Sequence, residues 1–188
     1  YVNNGINTDE IDKIIKGIIP EKINTNNLKI CTVGRIGFQK NPKLFNEIAE
    51  RFQQYTFTWI GDGELKESLT SKNIEITGWA SRENVLKQLC KNDIFILPSL
   101  WEGLPIALLE AMYLGKICIV SNVIGNRDVI KNGENGFVCD NLKEYENVIN
   151  SISEKKVDIN RIQKNVISDI KSNYTITNMC KKYKEIYN

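Results

Sequence analysis

The stretch DIFILPSLWEGLPIALLEAMYLGKICIVSN, Asp93–Asn122, decides how the whole chain folds. DIFILPS (93–99) is an apolar run too short for a helix. LPIALLEAMYLG (104–115) has the density of a buried helix, with Pro105 in its first turn and Gly115 at its end. ICIVS (117–121) is another short apolar run. Strand, helix and strand in this order predict a unit of a parallel sheet covered on both faces. Two carboxylates interrupt the pattern. Glu102 precedes the helix, and Glu110 sits eight positions on, among Leu108, Leu109, Ala111 and Met112. A core helix tolerates Glu110 only where something beside it needs a charge.

The same alternation runs through the rest of the chain. LKICTVG (28–34), YTFTWIG (55–61), IEIT (74–77) and NGFVC (135–139) read as further strands. NPKLFNEIAERFQQ (41–54) places Leu44, Phe45, Ile48, Ala49 and Phe52 at helical spacing. SRENVLKQLCKN opens on Ser81 as an N-cap, and GDGEL turns sharply into a further helix. From Asn141 onward LKEYENVINSI, INRIQKNVISDI and ITNMCKKYKEIY read as helices. The expected fold is an α/β, doubly wound parallel sheet of Rossmann type. Ligands of such sheets lie outside the carboxyl ends of the strands. Five loops fall at those ends: GRIGFQK, GDGE, GWASRE, SLWEG and SNVIGNRD.

Composition narrows the chemistry. A chain of 188 residues with net charge +2 has no field arguing for nucleic acid or an anionic membrane. It contains no histidine, which removes the commonest general base and most zinc sites. The five cysteines are scattered without a CxxC; four of them, Cys31, Cys90, Cys118 and Cys139, sit in apolar runs and read as buried thiols, which points to a reducing, cytoplasmic compartment. No window of about 18 apolar residues spans a bilayer. The opening YVNNGINTDE has neither initiator Met nor a signal-peptide pattern, and reads as a chain entered partway through a longer polypeptide.

At the rim, VGRIGFQKN lacks the GxGxxG of dinucleotide sites. Arg35 and Lys40 together supply a planar fork and a mobile point charge, a pairing suited to a diphosphate. A helix starting near Leu104 aims free N–H groups at the rim, with Gly103, Leu104 and Ile106 as donors because Pro105 has none. Glu110 lies roughly 6–9 Å further along at ~1.5 Å per residue. Its carboxylate can accept from both hydroxyls of a vicinal diol such as a ribose.

In order along the chain, these segments resemble the donor-binding, C-terminal domain of the family-four retaining glycosyltransferases of GT-B fold, the group 1 glycosyl transferases. NGIN (4–7) is similar to the family's interdomain NGVD, VGRIGFQKN to its VGRL…KG, and IGDGEL to its GDGP. PSLWEGLPIALLEAMYLGKICIVSN resembles PS…EGFG…EAMA.G.PVVAS, and IGNRDVIKNGENGFV resembles GG..E.I..G..G.LV. Asp128 stands where the family often has Glu, Asn126 where a second Gly is usual, and Asn41 replaces a frequent Gly after the lysine, which we expect to be harmless.

The resemblance implies one domain over 1–188, with an interdomain lead-in over 1–27 and a closing helix over 174–188, and an acceptor-binding N-terminal domain outside this chain. It implies a hexosyltransferase that takes a nucleoside diphosphate sugar, UDP-sugars being the commonest donors, in bacterial surface polysaccharide synthesis. Arg35 and Lys40, with Gly34 beside them, would bind the diphosphate. Glu102 would face the sugar, and Glu110 the ribose. Gly103, Leu104 and Ile106 would support phosphate or sugar, and Trp79, Ala80 and Arg82 would border the base, with Trp79 packed rather than stacked. No cofactor is implied, because side-chain cations can replace Mg²⁺ and no DxD-like pair is present. The acceptor, a carbohydrate or lipid-linked sugar, would reach the site through the other domain, with the full-length enzyme at most peripheral to the membrane. The isolated domain is expected to be inactive. A nucleotide-binding domain without transfer activity and a nucleotide-sugar epimerase are the alternatives.

Overall fold

The structure, a computed structural model, describes residues 5–19 and 22–187. Asn4 of the NGIN segment, and Pro20 and Glu21 of the lead-in, lie outside the described residues. Six parallel strands, β1 (Lys29–Val33), β2 (Thr56–Ile60), β3 (Ile74–Ile76), β4 (Ile94–Leu97), β5 (Ile117–Ser121) and β6 (Phe137–Cys139), form one sheet in the order β3-β2-β1-β4-β5-β6. Winding reverses between β1 and β4, and the crevice there is the topological switch point.

The helices are α1 (Thr8–Ile15), α2 (Pro42–Arg51), α3 (Arg82–Cys90), α4 (Ile106–Tyr113), α5 (Ile124–Arg127), α6 (Leu142–Ser153), α7 (Ile159–Asn173) and α8 (Ile176–Tyr187). Alternate strand residues feed two cores, which is why the strands read as unbroken apolar runs. Cys31, Phe95, Leu97, Cys118 and Val120 pack with α1, α3, α4 and α7 on one face. Ile30, Ile94, Ile96, Ile117 and Ile119 pack with α2 and α6 on the other, where the Phe45 ring meets Phe57 and Trp59 edge-on.

Several expected elements are trimmed. The helix expected over 104–115 begins at Ile106, with Pro105 in extended conformation as its N-cap. GDGEL leads into a single 3-10 turn, Lys66–Ser68, rather than a full helix. The lead-in contains α1, capped by the Asn7 side chain, which accepts from the Glu10 N–H. Ser81 caps α3 as expected, accepting from the Asn84 N–H. Asn41 takes the left-handed φ of 52° and caps α2, so this asparagine serves where a glycine would be usual. Cys31, Cys118 and Cys139 are buried, Cys90 is half-buried and Cys180 is exposed; all five are free thiols. No helix among the described residues is long and apolar enough to cross a membrane.

Candidate functional site at the carboxyl rim of the sheet

The loops after β1 and β2 interlock through glycines. The Gly34 N–H donates to Ile60 O and the Ile36 N–H to Asp62 O. Gly61 has φ of 145°, and a Cβ there would lie 2.2 Å from Gly34 O, so no other residue fits. Beside them opens a cavity of about 530 Å³, bounded by Gly34, Arg35, Gly61, Asp62, Trp79 and Ala80. Four of the expected site residues thus share one wall. A second hollow of about 230 Å³ shares Arg35 and is lined by Lys40 and Glu64.

The loops after β1 and β4 are joined as well. The Leu100 N–H donates to Gln39 O, and Gln39 Nε2 donates to Trp101 O. Lys40 then crosses Gly34, its Cε 3.0 Å from where a Cβ would stand, and its Nζ meets Glu102 Oε1 at 2.6 Å. The side chains of this pair are only 18% and 6% exposed, so each charge depends on the other. Arg35 Nε meets Glu64 Oε2 at 2.9 Å, an exposed pair that lowers the Glu64 carboxyl below its ordinary range, its own backbone hydrogen bond contributing most. Arg35 and Lys40 are therefore not bare cations awaiting a diphosphate. Each holds a carboxylate that an anion would have to share or displace.

Glu110 points from α4 to Arg82 of α3: Arg82 Nε lies 3.1 Å from Glu110 Oε1, and Arg82 Nη1 lies 2.6 Å from Glu10 Oε2 of α1. Burial pushes the Glu110 carboxyl up, and Arg82 partly offsets this. Arg82 is thus bound to two carboxylates and does not line the cavity. Trp79 is 84% exposed, so it is not packed, and its ring is free to meet a ligand. Gly103 and Leu104 lie in the loop before α4. The Leu108 and Leu109 N–H groups both donate to Pro105 O, leaving those of Ile106 and Ala107 at the helix tip. Gly125 of α5 packs directly on this loop, where a Cβ would lie 1.6 Å from Gly103 O. Asn126 is buried and donates to Ser121 O and Oγ, which ties the loop, while its Oδ1 has no partner among the described residues.

Sequence reading missed Glu10, Glu64 and an exposed aromatic pair, Phe38 and Trp101, whose rings lie 6.0 Å apart on the rim. The capping pattern Asn7-x-x-Glu10 before Ile11 and Ile14 was a signal for α1. The long-range ion pairs had none. No cluster of three or more metal-ligating acids, cysteines or histidines occurs among the described residues.

A parallel sheet in this order, with its polar side chains gathered at the switch point, is the Rossmann-like architecture of GT-B glycosyltransferases. The chain belongs to the glycosyl transferases group 1 family, whose sequence profile matches residues 16–169. It is 34% identical over 208 residues to the UDP-Gal:alpha-D-GlcNAc-diphosphoundecaprenol alpha-1,3-galactosyltransferase of Escherichia coli, covering 99% of this chain and 53% of the relative. The lipopolysaccharide outer core galactosyltransferase WaaB, in its apo form, matches with TM-score 0.77 and 25% identity over 100% of this chain and 55% of its own. Anabaena Alr3699/HepE in complex with UDP-glucose matches with TM-score 0.80 and 18% identity, covering 99% and 56%. The chain spans about half the length of the relatives it matches.

Proposed function

We propose that this chain is the donor-binding, C-terminal half of a retaining hexosyltransferase that uses a UDP-sugar in bacterial surface polysaccharide synthesis. The observation that carries the reading is the cavity at the carboxyl ends of β1 and β2, where Gly34, Arg35, Trp79 and Ala80 meet, with Lys40 lining the adjoining hollow and bridging to Glu102 of the loop after β4. The donor's base lies in that cavity against Ala80 and the exposed Trp79 ring. Its ribose hydroxyls donate to Glu110. The diphosphate takes Arg35 and Lys40, drawing them from Glu64 and Glu102, with the Ile106 N–H at the helix tip as a further donor.

Transfer breaks the bond between the sugar's anomeric carbon and the β-phosphate oxygen, and forms one to an acceptor hydroxyl on the same face. The hydroxyl proton passes to the departing phosphate, so no histidine is needed. Charge growing on the diphosphate is met by Arg35 and Lys40, and no metal enters the scheme. Glu102, released from Lys40, faces the sugar. The acceptor, a carbohydrate or lipid-linked sugar, is held by a further domain, and the chain alone transfers nothing. The similarity to an enzyme named for UDP-Gal and to a structure containing UDP-glucose supports uridine as the base. Calorimetry with UDP, GDP and ADP tests the reading: UDP binding tightest is expected. Absence of nucleotide binding, or robust turnover by this chain alone, refutes it.

A further inference from the structure

Arg82 occupies the first position of α3, where the helix dipole disfavours a cation. Its position is explained by what it reaches. Its guanidinium spans from Glu110 of α4 to Glu10 of α1, tying three helices by one side chain. Glu10 is itself fixed, its N–H held by the Asn7 cap. The Glu110 side chain is 6% exposed and those of Arg82 and Glu10 less than half exposed, so the deepest member of the chain is the carboxylate. Arg82 takes only Oε1 of Glu110, and Oε2 has no hydrogen-bond partner among the described residues.

We propose that Arg82 is a positioning residue for nucleotide recognition, holding Glu110 with one oxygen presented to the donor's ribose hydroxyls, and that Glu10 holds Arg82 in turn. The inference rests on the reading of Glu110 as the ribose acceptor. Its chemistry is simple. A carboxylate accepts from a diol only when ionised and correctly aimed, and a buried carboxyl tends to neither. One bond from a planar guanidinium supplies the charge and fixes the direction. The charged groups facing Glu110 are Arg82 from α3 and Glu10 from α1; the second repels it and is itself neutralised by Arg82. The lead-in helix thereby becomes part of the nucleotide site without touching nucleotide.

The test compares UDP with 2′,3′-dideoxy-UDP, which lacks the diol, by calorimetry on the wild type, Arg82→Ala, Arg82→Lys and Glu10→Gln. Arg82→Ala should weaken UDP by about tenfold near neutral pH, leave the dideoxy nucleotide within about twofold, and recover part of the loss at alkaline pH. Arg82→Lys, which keeps the charge but not the planar fork, should restore only part of the affinity, and Glu10→Gln should show a smaller loss of the same kind. Equal losses for both nucleotides, or a fall in thermal stability with UDP affinity unchanged, would show a mere strut and overturn the proposal. A carboxyl titration of Glu110 by NMR in nucleotide-free protein separates the two readings. A midpoint higher in Arg82→Ala than in wild type supports the control of Glu110 by Arg82 even if the wild type binds no nucleotide, and an unchanged midpoint refutes that control.

Discussion

Replacing Glu110 by Gln keeps the side chain's volume and one acceptor oxygen while removing its charge. A hydrogen bond to a charged group contributes about 1.5–3 kcal/mol and one between neutral groups about 0.5–1.5. Two ribose hydroxyls would therefore lose about 1–3 kcal/mol between them. Because Arg82 already occupies Oε1, most of the effect falls on Oε2. The expectation is near 2 kcal/mol, roughly 30-fold in the dissociation constant for UDP. Stability should move the other way. Burial raises the Glu110 carboxyl above its ordinary 4.5, with Arg82 offsetting part of the rise. A carboxyl raised in the folded state binds more protons there than when unfolded, so its ionisation at neutral pH costs stability. Glu110→Gln should thus melt no lower than wild type at pH about 7, and this relative advantage should shrink as pH falls through the folded Glu110 value and be gone below the ordinary 4.5. Calorimetry with UDP and melting curves across pH measure both. UDP affinity within about twofold of wild type would refute the ribose role. A large fall in melting temperature at neutral pH would refute the account of burial.

Lys40→Ala strands the Glu102 carboxylate at 6% exposure and should cost about 2–4 kcal/mol by denaturant unfolding, with much of it recovered in Lys40→Ala/Glu102→Ala; additive losses would show that the pair is not coupled. Gly125→Ala drives a methyl to 1.6 Å from Gly103 O and should cost more than about 2 kcal/mol, whereas Gly133→Ala, at φ 75° in open space, should cost about 1. Trp79→Ala should leave unfolding within about 0.5 kcal/mol of wild type, since its ring is exposed, while UDP should quench Trp79 fluorescence. A stability loss several times larger would mean that the ring is packed after all.

How much the sequence reveals depends on range. β4, α4 and β5 were legible because each is local: uniform apolar runs of a few residues bracket a helix ended by Gly115, whose φ is 68°. Glu110 stood out for the same reason, as a charge among Leu109, Ala111 and Met112. The strand order was inferred from class rather than seen, since β1 pairs with β4 across 64 residues. Pairing of charges was not legible at all. Lys40 finds Glu102 62 residues away and Arg35 finds Glu64 29 residues away, so both cations looked unpaired until the loops were assembled. Trp79 misled because an aromatic at a strand's end usually packs, and nothing in GWASRE reveals that this ring turns outward.

The cysteines have a practical side. Burial pushes the thiols of Cys31 and Cys139 up to about 12 and that of Cys118 higher still, and raises that of half-buried Cys90 as well. At physiological pH the three inside the sheet stay protonated and beyond the reach of an alkylating reagent. Cys180, on α8, stands in the open. Cys180 is thus the most open of the five sulfurs, with half-buried Cys90 its one competitor: a maleimide dye or spin label would settle first on that helix, ready for distance measurements without any engineered cysteine.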